Sequence, residues 1–291
     1  MGKLNPTVID KISELRNDRI HGAGWLSRQA MGILNLAISQ SCTANMAALL
    51  DEIAATAGEV SKARPTMVSI ANYINQFLTE ITLAAESVKN VETFKLLAAN
   101  VAKELTKLSE DAANLASTYG GRIISNLDTV ITCSYSSTVC TALELARQDK
   151  TKFRVLVAES KANEEAFGRF TARQLKEHHI PVEVIPDRSI DKRISGADKA
   201  IVGADSILAD GSLINGTPTL ALAQAAKKAD IPFFAICETA KFDMHGYISK
   251  ATAPESGFDM VPPEMITGII MEKGIMQTHL IAAYIEEKRT A

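Results

Sequence analysis

From residue 128 to residue 271 the chain alternates between short apolar runs and helix-compatible stretches, and this restricts the fold more than any other feature. The runs are Thr129-Val130-Ile131-Thr132-Cys133, Arg154-Val155-Leu156-Val157-Ala158, Val182-Glu183-Val184-Ile185, Lys199-Ala200-Ile201-Val202, Phe233-Phe234-Ala235-Ile236-Cys237 and Gly268-Ile269-Ile270-Met271. They have the length of strands, not helices. Most are apolar at every position, so both faces must be buried, and a mainly parallel sheet with helices on either side does this. An α/β fold with a Rossmann-like C-terminal domain over residues 121–291 is expected.

The first part of the chain reads differently. Between residues 7 and 119 the apolar positions recur at helical spacing, as in Trp25, Met31, Leu34 and Ile38. Asn5-Pro6 predicts a helix start, and another follows Ala63-Arg64-Pro65-Thr66. Residues 86–117 read as one long helix that Gly120-Gly121 ends. An all-helical domain over residues 1–120 is therefore expected. Residues 244–263 lack periodicity and read as a lid or an interface loop.

Composition excludes several function classes. The 31 basic and 34 acidic residues leave a net charge of −3, which suggests no broad surface for nucleic acid or anionic membrane. No apolar stretch approaches the roughly 18 residues of a membrane span, and Met1-Gly2-Lys3-Leu4-Asn5-Pro6 has no signal-peptide core, so a cytoplasmic protein is expected. Cys42, Cys133, Cys140 and Cys237 are scattered without C-x-x-C spacing. They read as free thiols and indicate no metal site. His178, His179, His245 and His279 offer no metal-ligand spacing either.

Ligands of open α/β sheets bind outside the carboxyl ends of the strands. Asp205 stands there, after Ala200-Ile201-Val202-Gly203-Ala204, and so does Cys133, followed by Ser134-Tyr135-Ser136-Ser137-Thr138. Each has a plainer reading, Asp205 as a helix cap and Cys133 as a buried thiol. Two titratable groups at one sheet edge suit proton transfer, which needs an acid and a base on one substrate. The hydroxyls of Ser134 and Ser136 and the amides of their turn suit an anion. In the helical part, Arg19, His21, Gly22, Ala23 and Gly24 occupy one turn and Arg64 another. Such turns offer close backbone approach and a planar guanidinium for phosphate.

In this order the motifs resemble the superfamily of translation initiation factor 2B regulatory subunits, ribose-1,5-bisphosphate isomerase and methylthioribose-1-phosphate isomerase. The resemblance rests on His21-Gly22-Ala23-Gly24, Arg64-Pro65-Thr66, Thr132-Cys133, Glu159-Ser160-Lys161, Gly168-Arg169-Phe170-Thr171, Gly203-Ala204-Asp205, Ile214-Asn215 and Glu238-Thr239-Ala240-Lys241-Phe242. Phe258-Asp259-Met260-Val261-Pro262-Pro263 and the run from Ile269 to Ile275 look like the family's closing segment. The isomerase members convert an aldose 1-phosphate to a ketose 1-phosphate with a cysteine and an aspartate, and Cys133 and Asp205 stand at those motif positions. The resemblance implies an aldose-ketose isomerase in which Asp205 acts at the ring oxygen and O2 while Cys133 exchanges a proton at the reacting carbons. Arg64, Lys241 and the amides of residues 22–24 would neutralise oxyanion charge. Ser134, Ser136, Lys161, Arg169 and Asn215 complete the implied substrate-contact set.

The implied ligand is a small phosphorylated sugar or nucleotide, with no cofactor, and the implied assembly is a homodimer or larger homo-oligomer. The sequence also departs from the isomerase pattern. His21 stands where isomerases carry arginine, Thr132 precedes Cys133 in place of histidine, and Asn215-Gly216-Thr217-Pro218-Thr219 lacks the lysine of Asn-Lys-Ile-Gly-Thr. The residues after Cys133, and Cys237-Glu238-Thr239, are closer to the regulatory subunits. That alternative implies a subunit that binds nucleotide or sugar phosphate without turnover and associates with initiation factor 2.

Overall fold

The computed structural model of the chain describes residues 4–162, 165–248 and 254–290. They fall into two compact units, Met1–Asp111 and Ala112–Ala291.

The N-terminal unit is helical, as the periodicity predicts. It comprises α1 (Pro6–Asn17), α2 (Ala23–Gln40), α3 (Met46–Ser61), α4 (Val68–Ser87) and the larger part of α5 (Val91–Arg122). The Asn5 side chain accepts from the Thr7 amide and caps α1, with Pro6 at its first position. Asn45 caps α3 in the same way through the Ala48 amide. In α2, Leu26, Ala30, Met31, Leu34 and Ile38 form a buried stripe that packs with α1, α3 and α4.

Two expectations here need correction. Residues 86–117 are not one helix, because α4 ends at Ser87 and α5 begins anew at Val91, where the Asn90 side chain accepts from the Thr93 amide. Nor does Gly120-Gly121 stop α5, which runs through both glycines to Arg122. These glycines permit close packing. A Cβ on Gly120 would lie 2.4 Å from Ile236 Cδ1, and one on Gly121 would lie 2.9 Å from the Ala142 carbonyl oxygen.

The C-terminal unit contains β1 (Thr129–Thr132), α6 (Ser137–Gln148), β2 (Arg154–Ala158), β3 (Lys161–Ala162), β4 (Glu165–Ala166), α7 (Phe167–Glu177), β5 (Val182–Ile185), α8 (Ile190–Arg193) and β6 (Lys199–Val202). It continues through β7 (Ser206–Ile207), β8 (Leu213–Gly216), α9 (Thr219–Lys228), β9 (Phe233–Ile236), β10 (Phe258–Val261), β11 (Gly268–Met271), β12 (Gly274–Met276) and α10 (Ile281–Thr290). The main sheet has the order β12-β11-β9-β6-β1-β2-β5. It is parallel except for β12, which pairs antiparallel with β11. All six predicted strands are present. A smaller antiparallel sheet, β10-β8-β7, lies beyond β6 in sequence. The segment read as a lid includes residues 249–253, which lie outside the described residues, and its far end forms β10.

Alternation along the strands divides the core between the two faces. Ile131, Leu156, Ala200, Val202, Phe233, Ala235 and Ile269 pack in one cluster with Leu222, Ala226 and Ile285. Val130, Val155, Val157, Ile201, Ile236 and Ile270 pack in the other with Cys140, Leu143, Ala172 and Leu175. Cys133 and Cys237 belong to the first cluster, just past the ends of β1 and β9.

The packing of Gly121 is testable against a glycine with open space. Gly121→Ala must displace the α6 backbone and is expected to cost about 1–3 kcal/mol. Gly32→Ala in α2, where nothing lies within 4 Å, is expected to stabilise by about 0.5–1 kcal/mol. Denaturant midpoints of the two variants check both signs.

Candidate active site

The strand order reverses at one place. From β1 the chain adds β2 and β5 on one side, then returns through β6 to the other side of β1 and continues to β9 and β11. Such a reversal opens a crevice at the carboxyl ends of the two strands involved. Cys133 directly follows β1, and Asp205 stands three residues beyond Val202 at the end of β6.

Cys133 is 1% exposed. Its Sγ lies 3.3 Å from Thr219 Oγ1, at the first residue of α9. The Thr219 hydroxyl donates to the Gly216 carbonyl at 2.6 Å and accepts from Asn215 Nδ2 at 2.9 Å. A hydroxyl has one proton to give, so the thiol is the donor to Thr219 and stands protonated. Burial pushes this thiol up to about 12, and the Asp259 and Asp187 carboxylates add to the rise against the opposing hydrogen bond with Thr219. The arrangement stores a proton beside the crevice.

The turn after Cys133 is pinned from below. Ser134 takes a left-handed backbone, φ +61°, a conformation that costs a serine of order 1 kcal/mol or more and is kept where the surroundings enforce it. Its amide donates to Ser160 Oγ at 2.6 Å, and its carbonyl accepts from Thr171 Oγ1 at 2.7 Å. The Ser134 amide is thus committed within the protein and does not face an anion. Ser136 caps α6 by accepting from the Val139 amide. Two glycines let this turn approach: a Cβ on Gly203 would lie 2.5 Å from Ser136 Oγ, and one on Gly216 would lie 2.5 Å from Ser134 Oγ. Gly216 occupies the place of the missing lysine, so Ser134 and Gly216 form one packing solution.

Asp205 is half-buried, and its amide donates to the Ile214 carbonyl, which ties the β6 end to β8. Lys241 Nζ donates to the carbonyl of Ala204, the preceding residue, at 2.7 Å. Cys133, Ser134, Ser136, Asn215 and Thr219 thus form one contact network, and Lys241 anchors the loop that carries Asp205.

The remaining candidates make other contacts. Arg169 pairs with Glu159 at 2.6 Å and lines an outer cleft of about 820 Å³ with Arg173, Lys176 and Val184. Neither Cys133 nor Asp205 lines that cleft. The Lys161 side chain is exposed, and its amide, with that of Ser160, donates to Asp187. In the N-terminal unit, Arg64 donates to the Asp18 carbonyl. The Asp18 carboxylate accepts from the amides of Ile20 and His21 and pairs with the His21 ring at 2.7 Å. Burial works to raise the Asp18 carboxyl, but these hydrogen bonds and the nearby histidine hold it below its usual range. Arg19 donates to the carbonyls of Arg16 and Asp18, His21 stacks on Trp25, and Gly22 caps α2 ahead of Ala23 and Gly24 without a side-chain bond to the helix.

The Initiation factor 2 subunit family matches residues 19–257, a span that contains every candidate named above. The chain belongs to this family. It is 26% identical to a ribose 1,5-bisphosphate isomerase of Thermococcus kodakarensis, over 97% of this chain and 94% of that one. It is 31% identical to a putative translation initiation factor eIF-2B subunit 2-like protein of Pyrococcus horikoshii, over 94% and 97%. The crystal structure of a Pyrococcus horikoshii OT3 translation initiation factor eIF-2B superposes with a TM-score of 0.83 at 28% identity, covering 94% and 98%. In this member of the family, no group of three or more His, Cys, Asp or Glu side chains among the described residues could hold a metal ion. No helix among them is long and apolar enough to cross a membrane.

Sequence reasoning missed Thr219 as the partner of Cys133, although it closes the quoted Asn215 motif. It also missed Asp259, whose carboxylate accepts from the Thr217 hydroxyl and the Leu220 amide at the head of α9. A pairing that spans 39 residues has no local signal in sequence.

The thiols give a direct test. Cys133, Cys140 and Cys237 are buried and Cys42 is exposed, so a thiol reagent at pH 8 is expected to modify Cys42 in the folded protein and the other three only after denaturation. Burial raises all three buried thiols. The unfolded chain therefore loses thiol protons near pH 9 while the folded chain keeps them. Stability is then full below pH 9 and falls toward pH 12, by at most about 1.4 kcal/mol per pH unit for each thiol. Denaturant midpoints at pH 8 and pH 10 measure the fall.

Proposed function

We propose that the protein is a sugar-phosphate isomerase that converts an aldose 1-phosphate to a ketose 1-phosphate, with Cys133 and Asp205 as its catalytic pair. The observation that carries this reading is the position of both residues at the point where strand order reverses. Phosphate on the anomeric oxygen prevents spontaneous ring opening, so the enzyme must supply an acid that protonates the ring oxygen as its bond to C1 breaks and a base that takes the C2 hydroxyl proton as C2 becomes the carbonyl, while the C2 hydrogen passes with its electron pair to C1. A thiol that starts protonated suits the acid role, because a ring oxygen leaving as an alkoxide is more basic than a thiolate and the transfer runs downhill. The Asp205 carboxylate suits the role of base. This division differs from the one the family resemblance implies, and the buried, proton-donating state of Cys133 is the reason. Lys241, beside the Asp205 loop, suits an oxyanion.

The direct assay incubates purified protein with ribose 1,5-bisphosphate, ribose 1-phosphate and methylthioribose 1-phosphate and looks for ketose. At least one is expected to turn over. Cys133→Ser and Asp205→Asn are each expected to lower kcat by at least about a hundredfold, the scale of a positioned acid or base. No ketose from any of the three, with enzyme approaching substrate concentration, overturns the reading.

A second reading rests on Gly216. Without the lysine of the isomerase motif, and with Ser134 filling its space, the pocket also suits a regulatory subunit that holds a sugar or nucleotide phosphate without turnover. Association with initiation factor 2 at micromolar concentration, combined with no turnover, would favour it.

A further inference from the structure

We infer that Glu238 is a carbohydrate-recognition residue whose carboxylate accepts hydrogen bonds from sugar hydroxyls of a phosphorylated ligand. The inference deepens the proposed site and rests on that reading. Glu238 stands two residues past β9, which pairs with β6 as β6 pairs with β1. Three adjacent strand ends therefore carry Cys133, Asp205 and Glu238 in turn.

The Glu238 side chain is 1% exposed, yet among the described residues neither carboxylate oxygen receives a hydrogen bond. Among the described residues its ion-pair partner is Lys241, whose Nζ stops 3.8 Å from Oε2, beyond hydrogen-bond distance, and donates to the Ala204 carbonyl instead. The local donors are committed elsewhere. The Thr239 amide and the Thr239 hydroxyl both donate to Glu272, not to Glu238. A buried carboxylate without donors costs several kcal/mol, and native proteins leave few such groups unfilled.

The missing element is a donor, and that defines the ligand's chemistry. A phosphoester dianion brings only acceptors and negative charge, and inorganic phosphate near neutral pH adds hydroxyl hydrogen only on a group whose charge Glu238 repels, so neither satisfies Glu238. A hydroxyl does. Lys241 has donated one of its three hydrogens, and beside Glu238 it suits a ligand oxygen. The pair therefore suits a polyhydroxylated phosphate, with hydroxyls toward Glu238 and an oxyanion toward Lys241. The plainer assignment makes Glu238 only the counter-ion of Lys241, and the two assignments differ in what Glu238→Gln does to the unliganded protein.

Calorimetric titration of wild type, Glu238→Gln and Glu238→Ala with ribose 1-phosphate and with inorganic phosphate, beside ligand-free melting curves, separates them. Loss of a hydrogen bond to a charged group is expected to weaken ribose 1-phosphate about tenfold to a hundredfold in both variants. Inorganic phosphate should change by less than about twofold, and the ligand-free melting temperature of Glu238→Gln should not fall. Unchanged ribose 1-phosphate affinity in Glu238→Gln overturns the inference. So does equal loss for both ligands, or a fall of several degrees in the ligand-free melting temperature, since these mark a structural counter-ion. Wild type that binds no ribose 1-phosphate overturns this inference. Wild type that binds it, with no ketose formed from any of the three sugar phosphates assayed above, overturns the isomerase reading alone, and the variant comparison still decides Glu238.

Discussion

The pairing of β1 with β6 is the constraint on which the rest of the C-terminal unit depends. Val130 and Ile131 register with Lys199 and Ala200, although the segments lie some seventy residues apart. At the amino ends of the strands Lys199 donates to Asp128 at 2.6 Å, and the Asp198 carboxylate accepts from the Thr129 amide at 2.8 Å. Above these anchors the apolar residues of both strands are buried on both faces, so a slip of one residue would exchange the two cores. This fixed register sets the heights of the residues that follow each strand. Cys133 and Asp205 emerge at the same edge for that reason.

Burial also decides the chemistry available there. A thiol at a strand end is an ordinary buried residue unless something beside it can exchange its proton. Here Thr219 has spent its own proton on Gly216, which leaves Cys133 as donor, and burial keeps the thiol protonated. Cys140 and Cys237 are also buried, but Cys140 lies within α6, and Cys237 follows β9, one strand beyond the pair at which the order reverses. The site is distinguished by topology and hydrogen-bond direction, not by cysteine itself.

Much of this was legible in the sequence. Five of the short apolar runs are buried on both faces, a local property, while β5 at the sheet edge leaves Glu183 and Val184 exposed, and all six became strands. The helical spacing of Met31, Leu34 and Ile38 did the same for α2. Local rules failed where a distant partner decides. Gly120-Gly121 looked like a helix end, but Ile236 and Ala142 press on that segment and make small residues necessary inside α5. Ser134 reads as a source of free amide, but Ser160 Oγ, on a different loop, accepts that amide's hydrogen bond. Gly216 looked like a lost lysine, and only the position of Ser134 shows what fills the space. The family motifs point to Cys133 and Asp205, which stand one residue past β1 and three residues past β6. Arg169 shares the motif set but is paired with Glu159 on the outer cleft.

If the proposed chemistry holds, the crevice above β1 and β6 takes a phosphorylated sugar with its reacting carbons between Cys133 and Asp205. Diffraction from crystals soaked with ribulose 1,5-bisphosphate tests this most directly. The predicted result is ligand density in which the carbohydrate lies within reach of both Cys133 Sγ and the Asp205 carboxylate. Density at the outer cleft of Arg169 alone, with the β1–β6 crevice empty, would contradict it.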